Sequence, residues 1–571
     1  MTLLRNNKRA YASIMTAVLF CLVFTSVAMA QDDRAARRRE FYDNLKLLGE
    51  VYERIINNYV DEEDPHAIME AGIKGMLSEL DEHSNYLPPV NYEDLMMSTE
   101  GEFGGLGISI QPRDHYPTVV SPIEGTPAFY MGIQGGDQII EIEGESSFDF
   151  SSREAVKRLR GAPGTQVNIT IARPGVEDPI PYTITRDIIK IESVPYGFMM
   201  DDIGYIRVQN FARTTKDELK TRLDDLSGQG MRGLILDLRF NPGGLLTAAQ
   251  EVSELFLERD KLIVFTKGRL RDQNRSFHSQ ARGEVFNKVP MIVMVNGSSA
   301  SASEIVAAAL QDHDQGLVVG QTSFGKGSVQ TVFRLDEDEA LKLTTARYYT
   351  PSGRSIHKDR SKDPHGEMPA DMRALLEPED LEPEPAEREL ERFDKEQFHT
   401  AAGRTVYGGG GVTPDIEIKQ DFLSDFEVAV ERDGALFAFA VEYVSEHADI
   451  TSDFKVDDKT FARFQSFLAE REKIEEYLGV FELTLSDSLT SANRDFINRG
   501  IRRELARRLE GPEAAYKVAI EADTQLHEAL DLFRQAKDLD ALLALAEEWN
   551  HEQMRLLAVE TEAAEEEPVS N

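Results

Sequence analysis

The sequence predicts a multidomain α/β protein, and three observations carry that prediction. At 571 residues the chain is long enough for roughly three or four domains. Twice, an apolar run that reads as a buried strand passes through a short loop into a helical pattern. Leu234-Ile-Leu-Asp-Leu-Arg239 leads through Asn241-Pro-Gly-Gly244 into Leu245–Leu257, and Val289-Pro-Met-Ile-Val-Met-Val295 leads through Ser298-Ser-Ala-Ser301 into Ile305–Leu310. Strand, loop and helix in that order imply parallel strands with crossover helices. From Asp425 onward the chain reads as mostly helical.

Composition narrows the partners. A hydrophobic content of 41% supports ordinary globular cores. The formal net charge of −38 repels nucleic acid and anionic membranes, so nucleic acid is not an expected partner. A high-salt habitat and plain solubility both account for such acidity. The first 30 residues read as a signal peptide: Arg5, Lys8 and Arg9 form the basic region, Ile14–Val27 is mostly apolar, and Ala28-Met-Ala30 places small residues before Gln31. The alternative is an uncleaved anchor, for which the apolar run is short. Cleavage sends the mature chain to the periplasm or cell envelope and removes Cys21, the one cysteine, so disulfides and cysteine-based metal sites are excluded from what remains.

In order, residues 31–97 hold two helical patterns, Arg34–Asn58 through Phe41, Leu45, Leu48, Val51 and Ile55, and Pro65–Leu80. Asp81-Glu-His-Ser-Asn-Tyr-Leu87 ends the second, with Asp81 and His83 read as a turn anchor rather than metal ligands. Residues 98–190 open on Gly101-Glu-Phe-Gly-Gly-Leu-Gly107-Ile108 and continue in alternating strand patterns, with a helix from Ser152 to Arg160. Ile203-Gly-Tyr-Ile-Arg-Val208 begins a domain spanning 191–424, in which Asp237 and Arg239 read as a structural ion pair.

The chemistry lies between Val289 and Gln330. Ser301 stands at a strand-to-helix turn, beside backbone N–H groups able to stabilise an oxyanion. The nearest histidine, His313, lies beyond the far end of the helix, so Lys326, between two glycines, is the better base. A lysine serves as one only when burial leaves it neutral near pH 7. Ser301-Ala-Ser-Glu304 also fits a capping box, under which Ser301 would only cap the helix. Gly320-Gln-Thr-Ser-Phe-Gly-Lys326-Gly-Ser328 approaches a phosphate-binding loop, but Gly327 separates Lys326 from Ser328 and the β-formers Val329–Leu335 follow where a helix is needed.

Ser299-Ala-Ser-Ala-Ser-Glu304 followed by Phe324-Gly-Lys-Gly-Ser-Val-Gln330 resembles the carboxyl-terminal processing (tail-specific) serine peptidases. The resemblance implies Ser301 as nucleophile, Lys326 as general base and Gln330 as the residue that orients the lysine, with no metal, nucleotide or other cofactor. It implies a crotonase-like core in which backbone N–H groups of Gly243, Gly244 and Ala302 hold the oxyanion. Residues 98–190 resemble the PDZ domain inserted in such peptidases, which implies peptide binding by Gly105, Leu106, Gly107 and Ile108, with Val156 and Leu159 as pocket walls. Asp81–Leu87 resembles the family's helical lead-in, with Glu82 where its motif has proline. Arg347-Tyr-Tyr-Thr-Pro-Ser-Gly-Arg-Ser-Ile356 matches too and is expected to return a strand to the core.

An acidic, proline-rich insertion at about 358–397 is expected on the surface, and the glycine run Gly408–Gly411 is either a close approach to the substrate channel or a plain loop. Residues 425–559 form a helical appendage, expected either to self-associate or wall the chamber, or to pack inertly, and 560–571 an unstructured acidic tail. The function this implies is a serine endopeptidase that recognises envelope proteins by free, apolar C-termini. The alternative is a non-catalytic PDZ scaffold or chaperone.

Overall fold

The structure is a computed structural model describing residues 37–280, 286–336, 338–358, 396–447, 449–451, 454–471, 473–485, 489 and 493–566. The segment read as a signal peptide and almost all of the acidic insertion lie outside the described residues. The chain divides into two compact units, Met1–Pro89 with Thr331–Thr344, and Val90–Gln330 with Thr345–Asn571.

In the first unit residues 37–58 are helical, and Asp64 caps the helix Pro65–Ser78 by accepting from the His66 N–H at 2.9 Å. The Asp81 carboxylate accepts from the His83 N–H at 2.9 Å and the hydroxyls of Ser84 at 2.9 Å and Thr344 at 3.1 Å. It anchors the turn, as expected from the sequence. Strand Asn85–Leu87 follows, antiparallel to the start of Ala340–Tyr349.

The second unit opens with a β-domain. Its antiparallel sheet runs in the order Ile108–Arg113, Tyr116–Pro122, Gln138–Ile142, Gln166–Ala172, Ile180–Thr185. Helix Ser152–Leu159 is capped by the Ser151 hydroxyl, which accepts from Glu154 N–H at 3.2 Å. Strands Glu102–Gly105 and Asp187–Lys190 pair antiparallel and bring the two ends of the domain together.

The next sheet has six strands in the order Tyr196–Met200, Ile203–Arg207, Gly233–Asp237, Met291–Val295, Leu317–Gly320, Ile416–Glu417; every pairing after the first is parallel. Its central strands are apolar on both faces, so both must be covered. Leu234, Leu236 and Val293 face one core with Leu223, Val252 and Val306 of the crossover helices. Ile235, Ile292 and Met294 face the other, and what covers them is Leu526, Ala529, Phe533 and Leu542 of helices Thr524–Gln535 and Leu539–Glu566.

That packing gives the last helices of the expected appendage a place in the core. They supply the missing layer of the α/β core, with Leu526, Ala529, Phe533 and Leu542 packed against the sheet. The final helix also runs to Glu566, into the stretch expected to be an unstructured tail. In chain order between the last strand and that layer, helices from Asp425 to Glu510 form a separate bundle around Phe439, Phe464 and Leu468. Phe464 is fully buried there, and Phe461 and Phe467, each three residues away on the same helix, pack against the same cluster. This bundle touches the β-domain: Arg113 donates to the Gly434 carbonyl at 3.0 Å and lies 4.3 Å over the Phe437 ring.

Candidate active site

The parallel strands Gly233–Asp237 and Met291–Val295 end side by side, and their loops are joined by hydrogen bonds. Ser299 Oγ donates to the Leu238 carbonyl at 2.8 Å, and the Asn241 carbonyl accepts from the Ala300 N–H at 3.0 Å and Ser303 Oγ at 2.9 Å. Gly243 then lies directly against the serine turn. A Cβ there would fall 2.6 Å from the Ala300 oxygen, 2.8 Å from Ser301 Cβ and 2.9 Å from the Ala302 nitrogen. Its φ of +97° also favours glycine.

Ser301 has φ 55° and ψ −110°, a backbone state costing a non-glycine residue on the order of 1–3 kcal/mol. The strain sets the serine at the start of helix Ala302–Asp312, every residue of which is buried. Within it Glu304 is fully buried, and its carboxylate gathers both halves of the motif. Oε2 accepts from the N–H groups of Ser301 at 2.7 Å and Lys326 at 2.9 Å, and Oε1 accepts from Ser323 Oγ at 2.6 Å and the Gly325 N–H at 2.7 Å. Burial pushes the Glu304 carboxyl above the usual carboxylate range, although these four donors pull the other way.

Opposite Glu304, the buried Tyr348 hydroxyl donates to the Ser301 carbonyl at 3.3 Å and to the Lys326 carbonyl. The Lys326 loop is braced from behind by the glycine run, since a Cβ on Gly411 would sit 2.2 Å from the Ser323 oxygen. The run, read as either an approach to the substrate channel or a plain loop, makes its close approach to the backbone of the Lys326 loop. Gln330, half-buried, donates its amide to Ser328 Oγ at 2.9 Å. Of the expected oxyanion donors, the Gly243 N–H is already taken by Asn241 Oδ1 at 2.9 Å, whereas those of Gly244 and Ala302 meet no acceptor among the described residues. The turn chemistry of Asn241, invisible in the motif, occupies the first of the three.

In the β-domain, Ile108 starts the edge strand of its sheet and helix Ser152–Leu159 packs beside that strand. Gly107 has φ +78°, and a Cβ on it would lie 2.3 Å from Thr126. The carbonyls of Leu106 and Gly107 are held by the N–H groups of Ala128 at 3.0 Å and Ile123 at 2.8 Å, and Gly105 belongs to the strand that precedes the loop. An edge strand beside a helix can take a further strand. Val156 is half-buried there, while Leu159 belongs to the domain core.

The family model for Peptidase family S41 matches residues 202–365, that for a PDZ domain matches 104–180, and that for a PDZ-protease C-terminal helical domain matches 426–493. The carboxy-terminal-processing protease of Bartonella bacilliformis is 43% identical over 334 residues, 58% of this chain and 76% of that protein. The chain belongs to the carboxy-terminal-processing proteases. These are serine proteases of family S41 carrying a PDZ domain. The carboxyl-terminal-processing protease of Synechocystis is 39% identical, covering 50% of this chain and 68% of that one. A solved photosystem II D1 C-terminal processing protease is 27% identical and covers 54% of this chain and 89% of its own, with a TM-score of 0.31.

In this protease the Asp237–Arg239 pair is structural, as its sequence suggested. Burial would raise the Asp237 carboxyl, but Arg239 at 2.7 Å, with Arg207 and the Tyr205 hydroxyl behind it, holds it at about 2. Arg239 also reaches Asp523 and Gln525, tying the C-terminal layer to the sheet. In the sequence Glu304 reads only as half of a capping box, and Tyr348 only as part of a strand returning to the core, neither as a link between the two loops. The signal for Glu304 was a carboxylate inside an otherwise apolar, buried helix, which obliges it to find donors. For Tyr348, 47 residues from Ser301, no local signal exists.

Proposed function

We propose that the protease cleaves its substrates with Ser301 as nucleophile and Lys326 as general base, the lysine being oriented by Gln330. Lys326 removes the Ser301 hydroxyl proton as the oxygen attacks the scissile carbonyl. The leaving amine departs protonated, and water then hydrolyses the acyl-enzyme. Gly244 and Ala302 donate N–H groups to the oxyanion. The observation that carries this reading is the sharing of one Glu304 oxygen by the Ser301 and Lys326 backbones, which brings two separate loops into one site. The layered core around that site is read as crotonase-like.

The substrates are protein chains with free, apolar C-termini, which add as a strand to Ile108–Arg113 with the terminal carboxylate at Gly105–Gly107. The N-terminal basic-apolar segment supports delivery to the periplasm or cell envelope, and N-terminal sequencing of the chain recovered from that fraction tests this, with Gln31 expected first.

The decisive experiment sets the wild type, Ser301→Ala and Lys326→Ala against an unfolded protein ending in apolar residues, with free and amidated C-termini. Cleavage by the wild type alone, weakened by amidation and indifferent to chelators, is the expected result. Cleavage that survives Ser301→Ala rejects the dyad, and cleavage indifferent to amidation rejects C-terminal recognition.

A further inference from the structure

We propose that Tyr348 is a positioning residue for peptide cleavage, its hydroxyl fixing the Ser301 and Lys326 peptide groups so that the Ala302 N–H points at the oxyanion. The proposal rests on the Ser301–Lys326 reading above.

The peptide joining Ser301 to Ala302 is planar, with its C=O and N–H directed oppositely. Whatever holds the Ser301 carbonyl therefore aims the Ala302 N–H the other way. That carbonyl accepts from the Ile305 N–H at 3.0 Å, which leaves it in the helix, and from the Tyr348 hydroxyl at 3.3 Å. The tyrosine ties it to the second loop, since the same hydroxyl also reaches the carbonyl of Lys326. Glu304 Oε2 meanwhile grips the N–H of both residues. Each of the two residues is thus held at its N–H and at its C=O, by two side chains common to both loops.

The grip matters because Ser301 sits at φ 55° and ψ −110°. Rotation about ψ would relax that backbone and carry the Ala302 N–H out of line. The hydroxyl is itself held firmly. Tyr348 is buried, its N–H donates to the Gly327 carbonyl at 3.0 Å, and its strand pairs with Leu262–Gly268, where Thr266 faces it. The phenol oxygen thus sits between the two carbonyls with little freedom to move, and its position in the middle of the site makes the oxygen itself the part to test.

The experiment compares wild type with Tyr348→Phe by three readouts: the fraction of chains labelled at Ser301 by a fluorophosphonate, kcat and KM on a peptide substrate, and the affinity of a peptide aldehyde whose adduct places an oxygen where the oxyanion forms. The expected result is complete labelling, an unchanged KM, and a kcat lower by roughly tenfold or more, with aldehyde affinity falling in parallel. A 4-aminophenylalanine in place of Tyr348, which offers one N–H to each carbonyl, is expected to restore kcat, and it serves as the test should Tyr348→Phe not fold. Wild-type kcat per labelled site overturns the proposal, including when the melting temperature falls, because Tyr348 is then only structural. A wild-type label found elsewhere than Ser301 overturns the dyad reading first, and this proposal with it.

Discussion

Ser301 and Lys326 donate their backbone N–H groups to the same oxygen, Glu304 Oε2, at 2.7 and 2.9 Å. Twenty-two residues separate Glu304 from Lys326, so the contact fixes the register of two loops that share no secondary structure. Glu304→Gln replaces one acceptor oxygen with an amide NH2 facing donors. A misplacement of about 1 Å at a reacting group can cost on the order of 100-fold in rate, and a kcat loss of that size is expected. Steady-state kinetics on a folded variant checks it, and a wild-type kcat would sink the idea.

Gly243→Ala tests the other wall of the site. The new Cβ would meet Ser301 Cβ at 2.8 Å and the Ala302 nitrogen at 2.9 Å, at a φ of +97°. Loss of cleavage by on the order of 100-fold is expected, with the affinity for a C-terminal peptide unchanged. Isothermal titration alongside kinetics separates the two; weakened peptide binding would mean that the change spreads beyond the site.

Gly107→Ala tests recognition. At φ +78°, with a Cβ 2.3 Å from Thr126, the loop cannot keep its shape. Binding of a free C-terminal peptide is expected to fall at least tenfold, about 1.4 kcal/mol, while turnover of a short peptide too small to span both sites persists. Undiminished peptide affinity would remove Gly105–Ile108 from the recognition site.

Acid stability should report Asp237. Its folded value lies near 2 against an ordinary 3.8, so its stabilising contribution is present above 3.8 and lost as pH falls through about 2. The shift corresponds to on the order of 2 kcal/mol. Arg239→Met leaves the buried carboxylate without its main partner and is expected to cost about 3–5 kcal/mol at pH 7, read from denaturant midpoints. A variant as stable as wild type would show that Arg207 and Tyr205 suffice.

Phe533→Ala tests the C-terminal layer. Phe533 is 2% exposed and packs where a Gly233 side chain would lie 2.6 Å from its ring. A loss of about 3–5 kcal/mol is expected, against less than about 0.5 kcal/mol for Phe129→Ala on the exposed side of the β-domain. Equal effects would mean that the last helices are dispensable to the core.

Features held within a short span of chain were legible in the sequence. Apolar runs marked both faces of strands Gly233–Asp237 and Met291–Val295, and glycine placement marked the turns at Gly107 and Gly243, where φ is positive. The Ser301, Lys326 and Gln330 motifs identified the family by residue type and separation alone. Asp237 and Arg239, two apart, declared their ion pair.

What tertiary structure alone decided involves partners far apart in the chain. Periodicity shows that a helix has an apolar face but not which surface covers it, so Leu526 and Phe533 gave no sign that they close the sheet at Ile235 and Ile292. Backbone N–H groups are identical in every sequence, and only folding revealed that the Gly243 N–H goes to Asn241. Glu304 and Tyr348 hydrogen-bond to backbone atoms of the Ser301 and Lys326 loops, which no residue code records. Sequence specified the motif residues by side-chain chemistry; the fold decided their geometry, because hydrogen bonds to the main chain are set by where the backbone passes.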